Sequence, residues 1–186
     1  MSALGRPAVL MDRDGTINHD VGYLWRWEDF RWIAGAPEAL AALSRAGFAL
    51  AVITNQSGVA RGFYRDEDVL ALHRSIQADL KARAGVDLDG WYHCPHLPDA
   101  CSCRKPKPGL IERAASELGL DLSASYMIGD KAADAQAGLN AGVHRTILVR
   151  TGCGRQEEAE RPPQTAAVDD LTAAAALILA EAGDVR

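Results

Sequence analysis

Four short apolar runs limit what this chain can fold into: AVLM (Ala8–Met11), FALAVIT (Phe48–Thr54), SYMIG (Ser125–Gly129) and RTILV (Arg145–Val149). Each is continuous rather than alternating and too short for a helix, which is the pattern of a strand buried on both faces. WYH around Trp91 is a weaker fifth. Helix-period segments stand between them. Pro37 opens one that Gly47 closes. Asp66 can cap the next, in which Val69, Leu72, His73, Ile76 and Leu80 keep helical spacing. Pro108 and Gly119 bracket a third, and Gly142 ends the helix after Lys131. Strand and helix in alternation predict an α/β fold with a doubly wound parallel sheet, strand order 5-4-1-2-3. TGCGRQEEAERPPQ reads as a polar connector, and the alanine-rich helix from about Asp170 as weakly docked. The whole chain, 1–186, reads as a single domain.

Composition narrows the function classes. With 186 residues, 48% of them hydrophobic, one sizeable core is expected. A net charge of -5 argues against a protein that grips nucleic-acid phosphates. The apolar run Leu171 to Ala180 is too short to span a bilayer, and MSALGRPAVLMD has no apolar stretch of signal-peptide length. The expected location is the cytoplasm, where thiols stay reduced and a cysteine cluster more readily holds metal than a disulfide.

In a doubly wound sheet, chemistry collects at the carboxyl ends of the strands. Asp12-Arg13-Asp14-Gly15-Thr16 follows the first strand, Thr54-Asn55-Gln56-Ser57-Gly58 the second, and Gly129-Asp130-Lys131, then Asp134, a third. A lone DG would read as a turn. Here, however, Asp12 ends a buried apolar strand, an expensive place for an unpaired carboxylate. Aspartates at i and i+2 of an extended segment point the same way, so Asp12, Asp14 and Asp130 are expected to converge. Like charges that close need a cation, and hard oxygen ligands suit Mg2+. Thr54 and the amides of Asn55 and Gln56 are placed to receive phosphoryl oxygens.

LMDRDGTIN, ITNQSG, the lysine of CRKPKPG and IGDKAAD together resemble the four ordered signatures of the haloacid dehalogenase (HAD) superfamily, over roughly Ala8 to Gly152. The resemblance implies a Rossmann-like fold and phosphoryl transfer. It makes Asp12 the nucleophile and Asp14 the acid/base; Thr54 and Lys105 hold the transferring oxygens. It also assigns Mg2+ to Asp12, the backbone carbonyl of Asp14, and Asp130, with Asp134 as a more peripheral acid. A carboxylate nucleophile divides hydrolysis into formation and breakdown of an aspartyl phosphate, and an aspartate at position 14 supplies the leaving group's proton. The competing class is a non-catalytic binding protein with a vestigial acidic site; it predicts loss of one of these residues, and none is lost.

HCPHLPDACSC, residues 93 to 103, carries three of the chain's four cysteines. Cys94, His96, Cys101 and Cys103 form two close pairs that suit tetrahedral, structural Zn2+. Spacing does not separate His93 from His96, although the pattern C-x-H…C-x-C prefers His96. Scattered thiols on a loop are the plain alternative, and a Cys101–Cys103 disulfide is disfavoured by geometry. Cys153 is expected to be a free thiol. Because Arg104 and Lys105 directly follow the last ligand, the ion would order a loop that aims two cations at a phosphate.

CPH…CxCRKPKPG further resembles the capless, zinc-bearing branch acting on D-glycero-D-manno-heptose 1,7-bisphosphate, with relatives acting on histidinol phosphate. No insertion between Ile17 and Ala49 or between Asn55 and Tyr126 is long enough for a cap. That resemblance places Asp20, Gly22 and Tyr23 in a sugar-contacting loop and gives Arg104 a role in substrate recognition. It also marks Ser57, Arg61 and Lys131 as features of the heptose branch, a monomeric enzyme cutting the 7-phosphate. Trp25, Trp27 and Trp32 read instead as an apolar cluster over the sheet edge.

Overall fold

The computed structural model describes residues 5–184. Its sheet has six parallel strands in the order β3-β2-β1-β4-β5-β6. These are β1 (Ala8–Met11), β2 (Ala49–Asn55), β3 (Gly90–Cys94), β4 (Tyr126–Gly129), β5 (Arg145–Val149) and β6 (Ala166–Val168). The expected order of the first five is observed. The helices are α1 (Ala36–Arg45), α2 (Asp66–Ala84), α3 (Gly109–Leu118), α4 (Ala132–Ala141), the short α5 (Gly154–Glu157) and α6 (Leu171–Asp184).

The continuous apolar strands divide their side chains between two cores. Val9 and Met11 of β1 join Leu50 and Val52 of β2 under α1 and α6, with Leu40, Leu43 and Ile178. Ala8, Leu10, Ala51 and Ile53 face the other way, onto Leu110, Ile111 and Ala114 of α3 and Ala137 of α4. Both faces are therefore covered, so no polar alternation appears in the sequence. In the register, Met11 lies between Val52 and Ile128, so Asp12 leaves the sheet between its two neighbouring strands. Among the described residues, the connection after β1 holds a loop with one 3-10 turn (Trp27–Asp29) and then α1, and the connection after β2 holds α2, with no cap unit in either.

Three local expectations change. The final helix is firmly docked: Leu171, Ala174, Ala175 and Ile178 are buried against the sheet and α1. Alanine on both α1 and α6 lets the helices approach closely, and each fully buried leucine or isoleucine contributes roughly 1.5–3 kcal/mol. The polar connector holds α5 and leads into β6, whose half-buried Ala166, Ala167 and Val168 are too short an apolar run to read as a strand. Asp66 is the first helical residue of α2 rather than its cap; Asp68 Oδ2 reaches back to accept the Arg65 N–H at 2.8 Å.

Candidate active site

The strand ends open on one cleft of about 270 Å³, lined by residues that include Asp12, Asp14, Thr54, Lys105, Lys131 and Asp134. At its floor, the ammonium of Lys105 donates to Asp12 Oδ1 at 2.8 Å and the carbonyl of Ile53 at 2.6 Å. It also lies 2.7 Å from Asp134 Oδ1. Burial works against this charge, but Asp12 and Asp134 outweigh it and hold Lys105 above its ordinary range. Asp134 is thus not peripheral. It is 2% exposed, and its second oxygen accepts the backbone N–H of Lys131 at 3.0 Å. A helix-starting i to i+3 spacing hid this, because Asp134 serves at once as cap and as lysine anchor.

Carboxylate oxygens of Asp12, Asp130 and Asp134 lie within 4.8 Å of one another. Asp130 is fully buried, and burial, followed by the charge of Asp12, pushes it up to about 7. One of its oxygens accepts the Cys153 N–H at 2.8 Å; Oδ1 has no partner among the described residues. A Cβ on Gly15 or Gly152 would fall 2.1 or 2.2 Å from the other oxygen, so the two loops close on Asp130 only as glycine. An orphaned, buried carboxylate oxygen beside a second carboxylate fits a divalent cation.

Asp14 does not converge with that group. Its carboxylate is taken up by Arg13, whose Nη2 donates at 2.8 Å, by Asn18 Nδ2 at 3.0 Å and by Gln56 Nε2 at 2.9 Å. Burial raises its pKa, but Arg13 above all, then these hydrogen bonds, bring it below the ordinary carboxylate range. Arg13 is itself completely buried, donating also to the Leu24 carbonyl at 2.8 Å and meeting His73 Nε2 at 3.3 Å. An extended segment would have aligned Asp12 and Asp14; instead the buried guanidinium captures the second carboxylate. Arg13, Asn18 and His73 escaped sequence reasoning. An arginine between two aspartates at the end of a buried strand was the available signal.

Thr54 lies at the cleft, its hydroxyl accepting from Gln56 Nε2 at 2.9 Å. The Gln56 backbone amide, expected to receive a phosphoryl oxygen, is spent on the Cys94 carbonyl at 2.7 Å because β2 continues pairing with β3. The Asn55 side chain is likewise committed: it donates to the Lys105 carbonyl and accepts from the Lys105 N–H, both at 3.2 Å. Ser57, Asp20, Gly22, Tyr23 and Arg104 all line the cleft. Asp20 Oδ1 accepts the Gly22 N–H at 2.8 Å, and Lys131 Nζ stands 3.8 Å from Asp20. Burial lowers the Lys131 pKa, but Asp130 and other acids raise it further, so its charge is secure. Tyr64, another lining residue, donates to Gln56 Oε1 at 2.8 Å and was not anticipated. The tryptophans follow the expectation only in part: Trp27 stacks on Phe30, Phe30 meets Trp32 edge-on, and Trp32 packs on Leu72 and Ile76, whereas Trp25 lies apart from this cluster, beside Tyr64.

Beside this edge, Cys94, His96, Cys101 and Cys103 form a second cluster, with ligand atoms within 4.8 Å of one another. The sulfurs of Cys94 and Cys103 are 3.5 and 3.3 Å from Cys101, and His96 Nδ1 is 3.5 Å from Cys94. These separations are far beyond a disulfide bond and near the edge of a metal–thiolate tetrahedron. His93 lies outside it, its Nε2 2.7 Å from Asp66 Oδ1. Burial, then the crowding of thiols, pushes Cys94 up to about 12, which a bound cation would reverse. Arg104 Nη1 donates to the His96 carbonyl at 3.1 Å, tying the loop to itself.

The HAD-hydrolase-like family matches residues 102–174. The D-glycero-β-D-manno-heptose-1,7-bisphosphate 7-phosphatase of Photorhabdus laumondii is 48% identical over 165 residues, covering 84% of this chain and 87% of that protein. This chain belongs to the heptose-bisphosphate phosphatase family of HAD hydrolases. The family member of the same name from Escherichia coli K12 is 45% identical over 162 residues, covering 83% of this chain and 84% of its own. The D,D-heptose 1,7-bisphosphate phosphatase of B. bronchiseptica, crystallised with magnesium and phosphate, aligns with TM-score 0.86 at 35% identity, over 94% of this chain and 99% of that one. Among the described residues, no helix is long and apolar enough to cross a membrane.

Proposed function

We propose that this phosphatase removes the 7-phosphate of D-glycero-D-manno-heptose 1,7-bisphosphate through an aspartyl-phosphate intermediate. The observation that carries the reading is the Lys105 ammonium bridging Asp12 and Asp134 beside the unpartnered oxygen of Asp130. Family relatives bearing that name, at 42–48% identity, support the substrate. Their names favour the β anomer.

Asp12 attacks phosphorus, and Lys105 neutralises charge on the transferring group while Thr54 donates to one of its oxygens. Asp14, ionised in the free enzyme, must take up a proton when the phosphate dianion binds beside it; it delivers that proton to the departing sugar oxygen and later takes one from the water that attacks the aspartyl phosphate. Asp12, Asp130 and the backbone carbonyl of Asp14 would hold Mg2+. When bound, the ion orients the phosphoryl group and neutralises its developing charge. Zn2+ in the Cys3His cluster would stiffen the loop that presents Arg104 and Lys105 without taking part in chemistry. Arg104, Lys131, Asp20, Gly22, Tyr23 and Ser57 form the rim that recognises sugar and second phosphate. Residues 1–186 act as one monomeric catalytic domain, and the cluster of free thiols suits the cytoplasm.

Magnesium-dependent phosphate release from an aryl phosphate tests the chemistry. Asp12→Asn should abolish it; full activity in that variant would assign the nucleophile elsewhere.

A further inference from the structure

Gln56 is 2% exposed, and all its side-chain hydrogen bonds go to protein groups. Its NH2 donates to Asp14 Oδ2 and to Thr54 Oγ1, both at 2.9 Å. Its oxygen accepts the Tyr64 hydroxyl at 2.8 Å. An ionised carboxylate can only accept, so the nitrogen must face Asp14 and the oxygen must face away. On that far side, Tyr64 supplies the donor. Gly58 makes room for it: a Cβ there would stand 2.3 Å from the Tyr64 ring. The Trp25 ring lies roughly parallel to the same ring, centroids 6.4 Å apart.

We propose that Tyr64 is a positioning residue for the reaction, acting through Gln56 to hold the carboxylate of Asp14 where the leaving oxygen departs. This rests on the acid/base role given to Asp14 above. Without the hydroxyl, Gln56 Oε1 becomes a buried acceptor with no partner, and the amide turns or shifts to find one. Thr54 is fixed by β2 and keeps its place. Asp14 stands on the loop after β1 and loses one of its three side-chain partners. The damage therefore falls on proton delivery. An ester whose alcohol must be protonated feels it; an ester whose phenolate leaves as an anion does not.

The test compares kcat/KM of the wild type, Tyr64→Phe, Gln56→Leu and the double variant on three substrates. These are the heptose bisphosphate, glycerol phosphate as a plain alkyl ester, and para-nitrophenyl phosphate as an aryl ester. Tyr64→Phe keeps the ring over Gly58 and should lower the alkyl esters by about tenfold while changing the aryl ester less than about twofold. In the Gln56→Leu background it should add nothing, since its route is already cut. Equal losses on alkyl and aryl esters, additive losses in the double variant, or no loss at all would overturn the proposal. If Tyr64→Phe does not fold, Gln56→Leu alone must show the alkyl-selective loss, and an unselective loss overturns it. A wild type that cleaves glycerol phosphate but not the heptose bisphosphate would sink the substrate assignment and leave the Tyr64 comparison decisive on the alkyl ester.

Discussion

Asn55 and Lys105 hold each other at fixed register: the side-chain amide of Asn55 takes both the N–H and the carbonyl of the Lys105 backbone, each at 3.2 Å. Asn55 ends β2, and Lys105 lies two residues beyond the last cysteine of the Cys/His cluster. This pair therefore joins the cysteine loop to the sheet edge on which the chemistry stands. Asn55→Ala should lower kcat by about tenfold with little change in Tm, because Lys105 keeps its ion pairs but loses its backbone anchor. Asn55→Asp, which accepts the N–H but cannot donate to the carbonyl, should fall between. Steady-state kinetics and a thermal melt check both, and an unchanged kcat in Asn55→Ala would deny the anchor.

The buried ammonium of Lys105 compensates a crowded set of carboxylates. Lys105→Met should abolish turnover and, without magnesium, cost about 3–5 kcal/mol of stability, the scale for breaking a buried pair. Magnesium should then raise the Tm of the variant more than that of the wild type, since the ion takes over the missing charge. Melts with and without magnesium read this; equal magnesium shifts in both proteins would contradict it.

Zinc removal should act on folding first. A strong chelator, or Cys101→Ser, should lower Tm by roughly 10 °C and raise KM, and added magnesium should restore neither. Metal analysis of the purified protein should find zinc in equal amount to the chain. Normal KM in the zinc-free protein would remove the loop's recognition role.

His73 predicts a pH dependence of stability. Arg13 donates to its Nε2, so the ring is neutral with its proton on a buried, unpartnered Nδ1. Burial first, then Arg13 and His93, hold its pKa well below the ordinary histidine value. Between the two values the unfolded chain binds the extra proton, so the contribution is full above the unfolded pKa of about 6.5 and is lost as pH falls toward the folded one. His73→Gln retains an acceptor for Arg13 and does not titrate. Its Tm should fall less than the wild type's between about pH 7 and about pH 5; parallel curves would exclude His73 as the source.

The sheet and the Cys/His cluster were legible because each depends on local patterns. Continuous apolar runs announce strands buried on both faces, and a Cys-x-His pair followed by a Cys-x-Cys pair announces a candidate ligand set. What escaped was set by contacts between distant segments. The arginine between Asp12 and Asp14 was the one local hint; that it turns back on Asp14 depends on the distant Leu24 carbonyl and His73 of α2 as further partners. Asp134 read as a more peripheral acid, and only the approach of Lys105 across the fold draws it into the site. Tyr64 stands eight residues beyond Gln56, in a turn with no regular period. The sixth strand escaped because its three half-buried residues are too short an apolar run to read as a strand.

The substrate is decided by kcat/KM on the β and α anomers of D-glycero-D-manno-heptose 1,7-bisphosphate and on histidinol phosphate, with the product assigned by phosphorus NMR. Clear preference for the heptose bisphosphate, β over α, is expected, with heptose 1-phosphate as the product. Preference for histidinol phosphate, or release of the 1-phosphate, would contradict it.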